Sequence, residues 1–511
     1  MKKALFFALV LIAVQAFGAG LFIIPDPEAE ARDGYIVVYR AHDHIVGLGF
    51  PTADSRVLDS GARGLADFAL VTVRTEAGML DIAGIGEPVY RDGNTVIVRL
   101  SGPMPEDFVR PGIHHIQPLR ENRAPAHPIP IPMRSGYDAV VADIVAAVNQ
   151  DSLINYTTNY QNYLTRHSNS DGFDTACAWS QERFEGMGLE VEIQPFPMGS
   201  YNCQNVIATQ TGTLYPNRYW VICGHLDSTS PNPSYNAPGA DDNGSGSAAV
   251  VEAARLMSQY QFEYTIKYML FGGEEQGLYG SEYYATQAAA AGDSIMGVVN
   301  MDMIFYGPAG NDIAWLHYNT ASTGLGVAFQ AISDTYVPAL SMEVASSPSG
   351  ASDHASFWYS GYAAMLNIER QVFSNPYYHQ TTDLMANYMQ YFPFGTNMAK
   401  ACIAAVAYLA DPVETGIGDA ASAPVFSGAP LSVQPNPVSS SAMVRIQALS
   451  PAQAGLQVFD IAGRSVHRET ILLTPGENMV SVDASSLPMG VYTIRVTSAG
   501  SSRNTRMVVA R

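Results

Sequence analysis

The stretch TIKYMLFGGEEQGLYGS, residues 265–281, decides the fold. Thr265 to Phe271 form an apolar run of strand length. Two glycines end it, Glu274 and Glu275 follow side by side, and Gly277 comes next. A solvated acidic turn would account for the pair only if it stood alone. The neighbouring runs show that it does not.

Further apolar runs lie at EVEIQPF (190–196), YWVICGH (219–225), MGVVNMDM (296–303) and AAMLNIE (363–369). They alternate with helical periods such as YDAVVADIVAAVNQ (137–150) and GSAAVVEAARLMSQY (246–260). This alternation predicts an α/β domain, a three-layer arrangement around a mainly parallel mixed sheet, over residues 127–412. Ligands of such sheets sit beyond the carboxyl ends of the strands.

At those ends stand His225 and Asp227 (GHLDST), Asp241 and Asp242 (PGADDN), Glu274 and Glu275, Asp302 (NMDM), Asp353 and His354 (SDHASFW), and His379 (NPYYHQTTD). Asp241 and Asp242 also suit the cap of the helix that begins near Ser245. A buried carboxylate such as Asp302, between methionines, needs a partner. Carboxylates and imidazoles gathered at one sheet edge, without cysteine, point to a metal site of the zinc, manganese or cobalt type.

These motifs, in this order, resemble the co-catalytic di-zinc aminopeptidases of metallopeptidase clan MH, of the secreted bacterial leucyl aminopeptidase type. The resemblance implies a cofactor of two zinc ions. His225 and Asp302 would hold one, Glu275 and His379 the other, and Asp242 would bridge both. Glu274 would be the general base, and Asp227 would accept the second N–H of His225. In the metal pair the bound water would be acidified. One glutamate would bind while its neighbour takes the proton, the two side chains diverging from extended backbone.

The stretch VASSPSGASDHAS (344–356) departs from the family, whose loop there carries a disulfide and an oxyanion-stabilising Tyr. Ser349 falls near that Tyr position. Tyr377 and Tyr378 are the hydroxyls nearest to His379 in sequence, and the substrate-binding residues are not assigned.

The resemblance implies an exopeptidase acting on peptides or proteins. Within the clan the alternatives are a dipeptidase or carboxypeptidase, a single-zinc glutaminyl-cyclase-like transferase, and a non-catalytic peptidase-like binding protein.

The flanks complete the plan. Residues 1–19 read as a signal peptide, with Lys2 and Lys3 before an apolar stretch and then small residues. No other run reaches about 18 apolar residues, so no membrane span is expected in the mature protein. Residues 20–126 carry short alternating runs, GYIVVYR, FALVTVRT and NTVIVRLS, and predict a β-rich pro-segment or accessory domain. The His42–Asp43–His44 triplet offers two imidazoles but no third ligand. APAHPIPIP (124–132) is a stiff proline-rich connection. Residues 413–430 read as a linker and 431–511 as a β-sandwich. The latter, with VQPNPV, VFDIAGRSV and LPMGVYTIRV, resembles the Por secretion tail, the sorting domain of the type IX secretion machinery.

The 511 residues are 47 % hydrophobic and 14 % charged, enough for several packed cores. A net charge of −20, spread along the chain, excludes a nucleic-acid partner of the usual basic kind. Four cysteines suit export. Cys177 and Cys203 are a candidate disulfide, and Cys223 and Cys402 are expected as buried thiols. The expected location is secreted or at the cell surface.

Overall fold

The architecture is that of a computed structural model. It describes residues 20–416 and 431–511, apart from 27–34, 42–43, 52–53, 61–63, 74–77, 105–112, 122–130, 132–136, 450–451, 461–464 and 499–500. The signal peptide, His42, nearly all of the proline-rich connection and most of the 413–430 linker lie outside the described residues.

The central sheet has eight strands in the order Ser341–Val344, Ile313–His317, Ala364–Glu369, Ser294–Met301, Tyr215–His225, Tyr264–Phe271, Tyr201–Gln210, Glu190–Met198. The four strands from Ala364–Glu369 to Tyr264–Phe271 run parallel. The two strands after Tyr264–Phe271 are antiparallel, as is the pairing of Ile313–His317 with Ala364–Glu369. Residues 219–225 are buried on both faces, as a parallel strand between two helical layers requires.

Alternate residues serve opposite layers. Tyr219, Val221 and Cys223 pack with Tyr284 and Ala285 of helix Tyr279–Ala291 and with Phe357 and Trp358 of helix His354–Tyr359. Trp220 faces the other way, against Gly297 and near Leu325 of helix Thr323–Tyr336. Helix Phe392–Leu409, buried nearly throughout, covers strands Tyr215–His225 and Ser294–Met301. The sheet is thus the middle of three layers, and it directs His225, Asp302 and the turn after Phe271 to one edge.

The N-terminal region is β-rich, as expected. One sheet holds Tyr35–Arg40, Ile45–Gly49, Gly20–Ile24 and Arg56–Asp59, and the other Gly86–Asp92, Thr95–Leu100, Phe68–Val73 and Ile113–Pro118. Leu21, Val46 and Leu48 of the first share a core with Phe68, Leu70 and Ile97 of the second. His44 hydrogen-bonds the Tyr90 hydroxyl at 2.8 Å. This region and the central domain form one compact unit.

The other compact unit contains residues 411–511 together with Met133–Val140 and Met257–Phe262. Its sandwich has a three-stranded sheet, Ser432–Gln434, Ser441–Ala448 and Gly476–Asp483, and a four-stranded sheet built on Ala452–Phe459 and Gly490–Ser498. Val444 and Ile446 meet Leu456, Val458, Ile494 and Val496 in one core. Residues 412–416, read as the end of the domain and the start of a linker, are instead a short strand pairing with Tyr260–Phe262.

The candidate disulfide does not form: Cys177, Cys203, Cys223 and Cys402 are all free and buried. Cys203 packs as a small apolar group, its sulfur 2.7 Å from where a Cβ on Gly272 would stand. Among the described residues no helix is long and apolar enough to cross a membrane.

Candidate metal centre

His225 is the last residue of strand Tyr215–His225, and Asp302 follows strand Ser294–Met301 directly. Asp242 lies just before helix Gly244–Met257, and His379 sits at φ 54 in the loop after Ala364–Glu369. These elements bring the side chains together. His225 Nε2 is 3.3 Å from Asp242 Oδ1 and 3.4 Å from Asp302 Oδ1. His379 Nε2 is 3.1 Å from Asp242 Oδ2 and 3.0 Å from Glu275 Oε2. Asp242 thus offers one oxygen to each imidazole and stands between two groups of ligands. Glu274 Oε2 lies 3.9 Å from His225 Nε2, on the His225 side.

The Glu274–Glu275 pair stands on a tight turn and not on extended backbone. Gly277 and Leu278 both donate to the Glu274 carbonyl, and Gly273 and Gly277 adopt φ of 70 and 122, which favours glycine. The turn, not strand alternation, separates the two carboxylates.

Asp227 fixes this turn: its two oxygens accept the backbone N–H of Glu274 at 3.2 Å and of Glu275 at 3.1 Å. The resemblance implies that this carboxylate accepts from the His225 ring. His225 Nδ1 instead lies 3.1 Å from the Asp227 carbonyl oxygen, with the carboxylate at 3.6 Å.

Asp383 repeats the device, with its two oxygens accepting the N–H of Asp241 and of Asp242, each at 3.0 Å. It stands in the quoted YHQTTD stretch, but nothing in its type separates it from a surface acid. Ser352 donates to Asp302 Oδ2 at 2.7 Å. Fully buried Arg166 donates to the carbonyls of Leu226, Pro238 and Gly239 and so ties the loop after His225 to the loop before Asp242. Neither residue stands out in the sequence, since each acts across a long separation.

Two further candidates stay apart from the ligands. Asp241 turns away and accepts from Phe305 N and Asn375 Nδ2. His354 bonds the Ser349 carbonyl at 2.9 Å and stacks edge-on against Trp358, and burial lowers its pKa to about 3. Ser349 is held between His354 and His317, whose Nδ1 accepts its N–H at 2.9 Å. Of the two tyrosines, Tyr378 is buried and stacks on His379 at 3.9 Å, while Tyr377 packs on Tyr388.

The electrostatics call for cations. Burial raises Glu274 well above the carboxylate range, opposed by His225 and reinforced by Glu275 and Asp302. Burial and Asp242 bring Glu275 to about 7. Burial would lower His379, yet Glu275 and Asp242 hold it at about 10, and His225 is likewise raised by Glu274 and Asp302. Burial would raise Asp242, but hydrogen bonds from both imidazoles keep it well below its usual value. Glu275 Oε1 and Asp302 Oδ1 are sealed from solvent without a hydrogen bond. Buried acceptors of this kind are expensive without a partner. Ligand atoms of His225, Glu274 and Asp302, and of His225, Asp242 and Glu275, come close enough together to surround an ion. The donor set fits zinc.

Residues 205–400 match Peptidase family M28. Residues 432–510 match the secretion system C-terminal sorting domain. The M28 segment contains every candidate ligand named above, so the resemblance drawn from the motifs holds for the central domain and for the tail.

A "probable zinc metalloprotease" of Pyrenophora teres f. teres is 33 % identical over 189 residues, covering 32 % of this chain and 38 % of that protein. A "probable leucine aminopeptidase" of Arthroderma otae is 27 % identical over 267 residues, covering 49 % of this chain and 71 % of that protein. The chain therefore spans well under half of the first of these relatives. In fold, LapB from Legionella pneumophila superposes with a TM-score of 0.56 at 18 % identity, covering 67 % of this chain and 99 % of that one.

Proposed function

We propose that the protein is an exported metallo-aminopeptidase that removes N-terminal residues from peptides with the help of two zinc ions. The reading rests above all on Asp242, which presents one oxygen to His225 and the other to His379. Four carboxylates, Asp242, Glu274, Glu275 and Asp302, are balanced in charge by two divalent cations.

His225 and Asp302 would hold one ion, Glu275 and His379 the other, and Asp242 both. Zinc there would polarise the scissile carbonyl and make a bound water acidic near neutral pH. Glu274, buried and beside His225, takes the proton from the attacking water and returns it to the leaving amine. Asp227 keeps Glu274 and Glu275 in place through their backbone N–H groups. The tail directs export through the type IX machinery, which places the mature protein outside the cell or at its surface.

The test is metal content together with turnover of the zinc-loaded protein on a leucyl anilide, on an N-acetylated peptide with a free C-terminal carboxylate, and on an N-terminal glutaminyl peptide. Two zincs per chain and hydrolysis of the free-amine substrates alone support the reading. Activity on the blocked peptide makes the protein a carboxypeptidase. Cyclisation of the glutaminyl peptide with one zinc makes it a transferase.

A further inference from the structure

We propose that Leu164 and Tyr235 form an apolar seat for the part of a peptide downstream of the bond being cut, so that the protein favours substrates with an apolar side chain there. The proposal rests on the peptidase reading of the site. Leu164 is 68 % exposed and Tyr235 77 %. A leucine at the surface needs no explanation by itself. This one does, because its backbone is held at φ 66, in the left-handed region where a branched apolar side chain is strained and glycine or asparagine fits. Leu164 therefore costs stability twice, through its backbone and through its exposed side chain. Residues held in this way gather at ligand clamps.

The fold sets the two side chains on neighbouring segments at the edge of the sheet that carries the candidate ligands. Thr165 and Ala237 form a parallel bridge. The Leu164 carbonyl accepts the Ala237 N–H at 2.9 Å, and Thr165 Oγ1 donates to the Pro233 carbonyl at 2.6 Å. Tyr235 stands between those two anchors, in the loop that joins Asp227 to Asp242.

The segment that presents Leu164 is also bonded to the chemistry. Arg166 grips the carbonyls of Leu226, Pro238 and Gly239. Ser168 Oγ lies 3.1 Å from Asp227 Oδ2 and accepts at 3.0 Å the N–H of Gly273, the residue before Glu274. Four residues of chain span at most about 14 Å, so Leu164 lies no farther than that from Ser168. A peptide whose first residue sits at the metal centre covers such a distance with the next few residues. The seat is thus fixed in advance relative to Glu274, which spares a bound peptide the cost of ordering it.

The experiment uses the zinc-loaded protein and hexapeptides that begin with leucine and are otherwise glycine, with a single Phe or Ser moved through positions two to six. Values of kcat/KM are measured for wild type, Leu164→Gly and Tyr235→Ser, and peptide affinity is measured by calorimetry with each form in a Glu274→Gln background. Wild type is expected to favour Phe over Ser at one of these positions by at least about 10-fold, the lower end of what an apolar contact discriminates. Leu164→Gly should abolish that preference through KM while its melting temperature stays level or rises, since glycine adopts left-handed backbone freely. A leucine with only a structural role would give the reverse, a lower melting temperature and an unchanged preference. Tyr235→Ser should weaken the same preference, and it decides the matter should Leu164→Gly fail to fold. A binding preference lost in the variants, with no hydrolysis by any form, upholds the seat and overturns the peptidase reading. Equal treatment of Phe and Ser at every position, or a preference that both variants keep, overturns the seat, and peptides neither bound nor cut overturn both readings. Self-association of the wild-type chain that vanishes in Leu164→Gly while the peptide preference persists also overturns it, in favour of a contact between copies.

Discussion

In the proposed reaction, Asp242 and the residues that aim it carry the site's chemistry. Replacing Glu274 by Gln should leave zinc content unchanged and lower kcat by at least about 10²-fold, the usual scale of general acid–base work. Metal analysis and steady-state rates on the same sample check both halves. Asp383→Asn should leave the fold in place but weaken zinc affinity about 10- to 100-fold, the range for partners that orient ligands, as read by competition with a chelator. The residues that meet at the candidate centre were legible because few residue types bind zinc and the sheet places them at strand ends. Asp383 and Arg166 were not, since their work is done on backbone atoms that any sequence possesses.

The same residue scale gives a pH dependence. Burial, with Asp241 beside it, raises Asp383 to about 8, and burial raises Asp353 to about 7. Both folded values exceed the unfolded one, about 3.9. The folded chain thus binds more protons between about pH 4 and 8, and its stability falls as pH climbs through that window. Zinc-free protein should melt several degrees lower at about pH 8 than at about pH 6, and calorimetry with a chelator present checks this.

At the scale of elements, the strands were readable because parallel strands buried on both faces are continuous apolar runs. The run 137–150 was read as one helix, yet helix Ala139–Ala146 ends and helix Gln150–Gln161 begins within it. Asn149 accounts for the break, since its side chain accepts from the N–H of Asp151 and Ser152 and starts a new helix. The turn after Phe271 depends on close approach. A Cβ on Gly272 would meet the Gln204 carbonyl at 2.8 Å as well as the Cys203 sulfur. Gly272→Ala should destabilise by about 1–3 kcal/mol, the scale of overpacking, and shift the turn that carries Glu274. Arg166→Met should cost more, since it leaves three carbonyls without their donor at about 1–3 kcal/mol each. Denaturant midpoints of the two variants give the order.

For the whole molecule, the sequence divides residues 20–126 from 127–412, while the structure joins them in one compact unit. The join runs through Gln117 to Gly350 and Arg120 to Gly277, contacts 233 and 157 residues apart. No local pattern encodes such a distance. Zinc held at about 100 times its Kd adds about 2.7 kcal/mol for each site, so chelation should lower Tm by roughly 5–10 °C. Removal of residues 431–511 should leave the metal centre intact and abolish export, which fractionation of cells and medium would show.

The four cysteines sealed inside the molecule turn it into its own recorder of opening. Burial raises the thiols of Cys177 and Cys223 well above their usual range and those of Cys203 and Cys402 to about 12. Alkylation needs an exposed thiolate, so each cysteine reacts only when its own neighbourhood opens. Cys203 lies behind the Gly272 turn, Cys223 beside Asn300, and Cys402 against Asn367. Timed alkylation read by mass spectrometry would rank these regions by opening free energy. With zinc bound, the label on Cys203 should slow the most, because the turn in front of it carries Glu275, a proposed ligand.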